Sequence, residues 1–289
     1  MALLEVKNLT HIFGDRTSDK RAAVRDISFS LDEGEILGII GHTGSGKSTL
    51  VTHLNGLIKP TDGSVFIEEK DIWENPKEIR KIRSTVGLVF QYPEYQLFED
   101  TVYKDISFGP SNMGLSGDEL DKAVRNAAAL MQVDDKLLDK SPFDLSGGQK
   151  RRVAIAGVLA MKPKIIVFDE PTAGLDPIGK ATIFKAISEY RDKHNAVVIV
   201  VSHSMEDIAA VCDKVLVLND GKLVSFGKTR DVFSESEKLK ALGLNVPMIT
   251  NIFLELKRRY KGIDSNVLTV DEAVKALTPF IEKRRNKNA

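Results

Sequence analysis

The chain has 289 residues, 42% hydrophobic and 28% charged, enough for one large core and a small appendage. Lys plus Arg and Asp plus Glu both total 41, so the net charge is zero, which disfavours a protein that holds nucleic acid by broad phosphate neutralisation. Cys212 is the single cysteine, which excludes an intramolecular disulfide and a cysteine metal cage and fits a reducing compartment.

The N-terminus reads as a strand and lacks a signal-peptide layout. The purest apolar run, 196–201, falls far short of the roughly 20 residues that cross a bilayer, so the chain is not expected to enter a membrane by itself, which leaves docking on a protein that does open. Residues 4–9 alternate as a strand, and 23–31 form another after a polar loop. Asp32-Glu33-Gly34 turns into the apolar strand 35–40, and a helical pattern runs over 46–55, ended by Gly56. Short strands follow at 64–67 and 86–90, then a polar, helically spaced stretch over 101–140. Strands at 165–168, 196–202 and 215–219 alternate with helices at 177–194 and 205–212, the pattern of a parallel sheet covered on both faces. Asp220-Gly221 signals a hairpin into 222–227. Residues 235–289 read as helices, with Thr269 and Glu272 as a capping box, and hold eleven Lys/Arg against seven Asp/Glu.

Gly41-His42-Thr43-Gly44-Ser45-Gly46-Lys47-Ser48, followed by Thr49, matches G-x-x-x-x-G-K-[ST] between a strand and a helix. Its glycines let backbone N–H groups converge on phosphate oxygens, and the helix N-terminus adds a positive end. Lys47 is expected to meet the β- and γ-phosphates of ATP, and the Ser48 hydroxyl to ligate Mg²⁺. The His42 side chain is read as incidental, and His53 and His194 as structural. The apolar run 165–168 ends in Asp169 and Glu170. Parallel strands present ligands at their carboxyl ends, so Asp169 is assigned to the metal and Glu170 to polarising the attacking water.

Leu145-Ser146-Gly147-Gly148-Gln149 offers a second anion-binding helix start, with Ser146 as cap and two glycines that leave backbone N–H groups accessible. This stretch resembles the signature motif of ATP-binding cassette (ABC) ATPases, and the resemblance covers residues 1 to about 233. It implies that two cassettes sandwich two ATP molecules head to tail, each site combining the phosphate loop of one chain with Ser146, Gly147, Gly148 and Gln149 of the other. It further implies that Gln91 touches Mg²⁺ and senses the transporter, that the loop ending in Asp176 crosses the dimer interface, and that His203 contacts the γ-phosphate. Where the family often stacks adenine on tyrosine, this chain has Phe13; a phenyl ring stacks as well, the alternative being a core side chain.

The fold so implied is α/β: a P-loop NTPase ABC cassette over 1–233, with a RecA-like parallel core, an antiparallel β subdomain and a helical subdomain at about 92–162. A helical appendage would follow over 234–289. Phe90-Gln91-Tyr92-Pro93-Glu94-Tyr95-Gln96-Leu97-Phe98 is similar to the extended glutamine-loop segment of energy-coupling factor (ECF) transporters, which import vitamins and metal ions, and the flavour is that of their EcfA′-type ATPase subunit. That resemblance implies a peripheral position on the cytoplasmic face, a paralogous ATPase partner, a membrane coupling subunit docked at 92–98 and a separate substrate-capture subunit. Rivals are an ATPase of another ABC importer or exporter, a soluble ABC protein and a non-hydrolysing sensor. A repair-type coiled coil is absent from the 96 residues between Ser48 and Leu145, and a translation-type protein would carry two cassettes.

Overall fold

The computed structural model describes residues 2–14, 21–260, 262–264 and 266–287. In chain order, β1 (Leu4–Phe13) and β2 (Arg21–Leu31) precede β3 (Ile36–Gly41), α1 (Lys47–Leu54), β4 (Asp62–Ile67), β5 (Lys70–Asp71), α2 (Ile79–Thr85) and β6 (Val86–Val89). Three helices follow, α3 (Val102–Asn112), α4 (Gly117–Leu130) and α5 (Gly147–Ala160). Alternation resumes with β7 (Ile165–Asp169), α6 (Pro177–His194), β8 (Val197–Val201), α7 (Met205–Val211), β9 (Lys214–Asn219) and β10 (Lys222–Lys228). The chain ends in α8 (Thr229–Ser234), α9 (Ser236–Ala241), α10 (Met248–Arg259) and α11 (Val270–Lys287).

The strands form two sheets. One is antiparallel in the order β2-β1-β4-β5; the other runs β10-β9-β3-β8-β7-β6, parallel except for the β9–β10 hairpin. Successive side chains of a strand point to opposite faces, and in the parallel sheet both faces are buried. Ile36 and Ile40 of β3, Val198 and Val200 of β8 and Ile166 and Phe168 of β7 enter the layer shared with α3, α5 and α6. Leu37 and Ile39, Val197 and Ile199, and Ile165 and Val167 enter the opposite layer, shared with α1 and the antiparallel sheet. Near-continuous Val/Ile runs are what such doubly covered strands require.

The helical segment closes over the first layer with Val124, Ala127 and Ala128 of α4 and with Val153, Ala156 and Leu159 of α5. The C-terminal part divides differently from the expected break at 233. Leu239, Leu244, Val246 and Leu268 belong to the main core, and a separate small cluster forms only around Phe253, Ile263, Val267 and Ala273. The stretch between α9 and α10 touches the loop after β3 and the start of α7: His42 Nε2 contacts the Leu242 carbonyl at 2.5 Å, and the Met248 N–H donates to Glu206 Oε1 at 3.0 Å. Thr269 caps α11 by accepting from the Glu272 N–H. Among the described residues no helix is long and apolar enough to cross a membrane.

Candidate functional site

β3 ends at Gly41 in the middle of the parallel sheet, where the chain must turn sharply to start α1. At Gly46, φ is 103° and a Cβ would stand 2.5 Å from the Ala23 carbonyl of β2, so only glycine lets the loop wrap this closely. Lys47 is buried and its Nζ donates to the carbonyls of Gly41 and His42 at 2.7 and 2.8 Å. Burial lowers the Lys47 pKa, against the pull of Glu170 and Asp169. Its charge therefore stands inside the loop, hydrogen-bonded to carbonyls and attracted by the two acids.

β7 delivers the acids, two strands from β3 with β8 between them. Ser48 Oγ donates to Asp169 Oδ2 at 3.4 Å. Burial raises the Asp169 pKa, opposed by Ser48, Lys47 and His203. Glu170 follows with φ 52°, a left-handed conformation that costs a non-glycine residue on the order of 1 kcal/mol or more. Glu170 Oε1 is buried without a hydrogen-bond partner among the described residues, with His203 Nε2 3.5 Å away. Burial and the adjacent Asp169 push the Glu170 pKa up to about 7, against the opposing influence of Lys47 and the His203 N–H. His203, just past the end of β8, has its pKa lowered by burial and by Lys47, with Asp169 opposing.

These groups share one open cleft of about 710 Å³, lined by Phe13, Thr43, Gly44, Gly46, Lys47, Ser48, Thr49, Gln91, Asp169, Glu170 and His203. Phe13 is 46% exposed at the cleft rim, its ring edge-on to His11 at 4.4 Å between centroids. It is not a core side chain. Gly41 and Ser45 are buried beneath the loop. The His42 side chain turns away to Leu242 and is not incidental to packing. Arg25, Asp220 and Gly221 also line the cleft; β-strand periodicity and a hairpin turn carried no sign of this. Charge and size suit a nucleoside triphosphate. Oxygen donors of Ser48, Asp169 and Gln91 on one wall suit a hard divalent cation that takes its other ligands from phosphate and water.

Ser146, Gly147, Gly148 and Gln149 do not line this cleft. Ser146 caps α5 in a full capping box with Gln149, and a Cβ at Gly147 or Gly148 would meet nothing within 4 Å, so the helix N-terminus faces open space. Asp176 likewise stands outside the cleft lining; its carboxylate caps α6 by accepting from the Gly179 N–H at 2.6 Å.

The family model described as "ABC transporter" matches residues 24–173. The chain is 51% identical over 283 residues to an energy-coupling factor transporter ATP-binding protein EcfA2 of Caldanaerobacter subterraneus subsp. tengcongensis, covering 98% of this chain and 99% of that one. It is 46% identical over 286 residues to the protein of the same name from Clostridium perfringens, with 99% of each chain covered. Among solved structures, cbiO1 from Clostridium perfringens, part of the ABC transporter complex cbiONQ, superposes with TM-score 0.75 at 38% identity, covering 89% of this chain and 97% of that one. The dimeric ATP-binding cassette MJ0796 in a post-hydrolysis state with ADP and Pi gives TM-score 0.71 at 28% identity, covering 78% and 98%.

Proposed function

The chain belongs to the ABC transporter family of ATP-binding proteins, and on that premise we propose how its residues divide the work of an ECF-type import ATPase. It is the ATP-binding and ATP-hydrolysing subunit of a membrane complex, driven by dimerisation of cassettes. Adenine stacks on Phe13 at the cleft rim. The backbone from Gly41 to Ser48 cradles the phosphates, and Lys47 exchanges the carbonyls of Gly41 and His42 for the β- and γ-phosphate oxygens. Ser48, Asp169 and Gln91 hold Mg²⁺, which supplies positive charge against the phosphate oxygens when bound. Glu170, ionised, takes up the proton of an attacking water, and His203 positions that water and the γ-phosphate.

The observation that carries this reading is the convergence in one cleft of Lys47, Ser48, Gln91, Asp169, Glu170 and His203, from the ends of four strands. The position of Ser146–Gln149 outside that cleft supports a site completed by a second cassette, whose phosphates would meet the open N-terminus of α5 and whose surface the loop ending at Asp176 would cross. We assign the second cassette to a paralogue.

The segment 92–98 is assigned to a membrane coupling subunit. Tyr95 is 85% exposed, and Phe98 pairs edge-on with Phe108 at 4.9 Å beside a groove of about 760 Å³. Leu97 packs partly against the core, so Tyr95 and Phe98 are the better anchors. On this reading the chain sits peripherally on the cytoplasmic face, with a further membrane subunit capturing the solute. Affinity purification from native membranes, followed by phosphate-release assays on the complex, tests the reading. Co-purification of integral membrane subunits with ATP-dependent phosphate release is the expected result; a soluble assembly without either would overturn it.

A further inference from the structure

Arg151 lies five residues beyond Ser146 on α5, with only 4% of its side chain exposed. Its Nε donates to Glu94 Oε2 at 2.9 Å and its Nη2 to Glu94 Oε1 at 2.7 Å, a two-pronged pair. Its Nη1 donates to the backbone carbonyl of Ala173, and its guanidinium carbon stands 5.7 Å from the centroid of the Tyr92 ring. Glu94 is itself largely buried; burial alone would raise its pKa, but the hydrogen bonds and charge of Arg151 hold it below the usual carboxylate value. One guanidinium thus joins three pieces of chain distant in sequence: the segment 92–98, the helix that begins at the signature motif, and the loop 173–176.

A buried ion pair is a poor device for stability alone, because apolar side chains of similar volume serve as well or better. It does fix register. If segment 92–98 is displaced, Arg151 must either follow or leave an unpaired charge inside the protein, and the second course is strongly unfavourable. A helix is stiff along its axis, so displacement of Arg151 reaches Ser146 less than two turns away. The Ala173 carbonyl carries the same displacement into the loop that ends at Asp176.

We infer that Arg151 is a positioning residue that transmits movement of the 92–98 segment to both the signature helix and the 173–176 loop, so that a docked membrane subunit sets the geometry of the composite ATP site. This rests on reading 92–98 as the docking segment. Arg151 touches none of the groups lining the ATP cleft, so its effect falls on turnover and not on nucleotide affinity.

The test uses the complex purified from native membranes, with Glu94→Gln, Arg151→Met, both together, and Arg151→Lys, which keeps the charge but loses the fork. Glu94→Gln and Arg151→Met each lower kcat on the order of tenfold, with KM for ATP within about twofold of wild type. The double variant falls no further than the worse single one, as expected for partners acting as a unit, and Arg151→Lys lies between. Amide hydrogen exchange over 174–176 rises in Glu94→Gln, although the Glu94 carboxylate bonds to Arg151 and not to that loop. Wild-type kcat with unchanged exchange over 174–176 in Glu94→Gln overturns the inference, as do additive losses in the double variant. If Arg151→Met fails to fold, the Glu94→Gln exchange pattern still decides. A wild-type complex without ATPase activity would instead refute the functional reading, while the exchange measurement would still report on the link.

Discussion

His203 Nε2 stands 3.5 Å from Glu170 Oε1, across the ends of two adjacent parallel strands. The pair puts an imidazole beside a carboxyl group that also lines the cleft, the arrangement a positioned base requires.

Replacing Glu170 with Gln is therefore expected to slow phosphate release by about 10²–10⁴-fold. ATP binding persists, because the amide is nearly isosteric and Asp169 is untouched. The variant accumulates an ATP-bound dimer, visible by size-exclusion chromatography. Normal turnover would show that another group orients the water.

Lys47→Ala removes a charge held by the Gly41 and His42 carbonyls. Titration with a fluorescent ATP analogue is expected to show binding weakened on the order of a hundredfold or more, the scale of charge-assisted phosphate contacts. The circular dichroism spectrum stays that of the wild type. Retained ATP affinity would remove the phosphate-loop assignment.

Phe13→Ala is expected to weaken ATP affinity by about 0.5–1.5 kcal/mol, the value of an aromatic stack. Phe13→Tyr keeps it. Equal affinity in all three proteins, measured by calorimetry, would mean that adenine sits elsewhere.

His53 is buried on α1, and its Nδ1–H donates to the Ile58 carbonyl at 2.8 Å. Burial lowers its pKa from 6.5 to about 4, with the Ile58 bond opposing and the nearby His11 assisting. Between those values the unfolded chain binds a proton that the folded chain refuses, so stability is full above the unfolded pKa and falls as pH drops toward 4. The loss approaches about 3 kcal/mol at the acid end. His53→Asn, which can still donate to Ile58, is expected to flatten the fall of Tm with pH over this window. Parallel slopes in the two proteins would refute it.

Truncation after residue 233 removes Leu239, Leu244, Val246 and Leu268 from the main core, whereas truncation after 247 removes only Leu268. Each lost buried aliphatic side chain is worth about 1.5–3 kcal/mol. Chain 1–247 is expected to fold and bind ATP, and chain 1–233 to lose several times more stability in urea titration. Equal midpoints would place the structural seam at 233.

Much of this was legible in the sequence because it is local. A phosphate loop needs its glycines and lysine consecutively, and doubly buried strands such as β7 and β8 show as short Val/Ile runs. The strands that alternate were harder to bound: β1 extends to Phe13, past the 4–9 stretch, because its end pairs with β2 through irregular register. α2 and α3 were not resolved individually, their apolar positions being few and α3 containing Pro110. What no local pattern revealed were contacts made by closure of distant chain: Arg25 at the cleft, Arg151 between Glu94 and Ala173, and His42 against Leu242. The break at 233 marked the end of the strands, not the end of the core.

The stretch from Leu242 to Met248 holds the phosphate loop through His42 and the helix after His203 through Glu206. A change in spacing between the phosphate loop and α7 as nucleotide binds or leaves would therefore act on α10, whose Met248 and Ile252 stand exposed. Thermodynamic linkage then runs both ways. A molecule that gripped α10 in one spacing and not the other would alter ATP affinity by the same factor by which ATP altered its own.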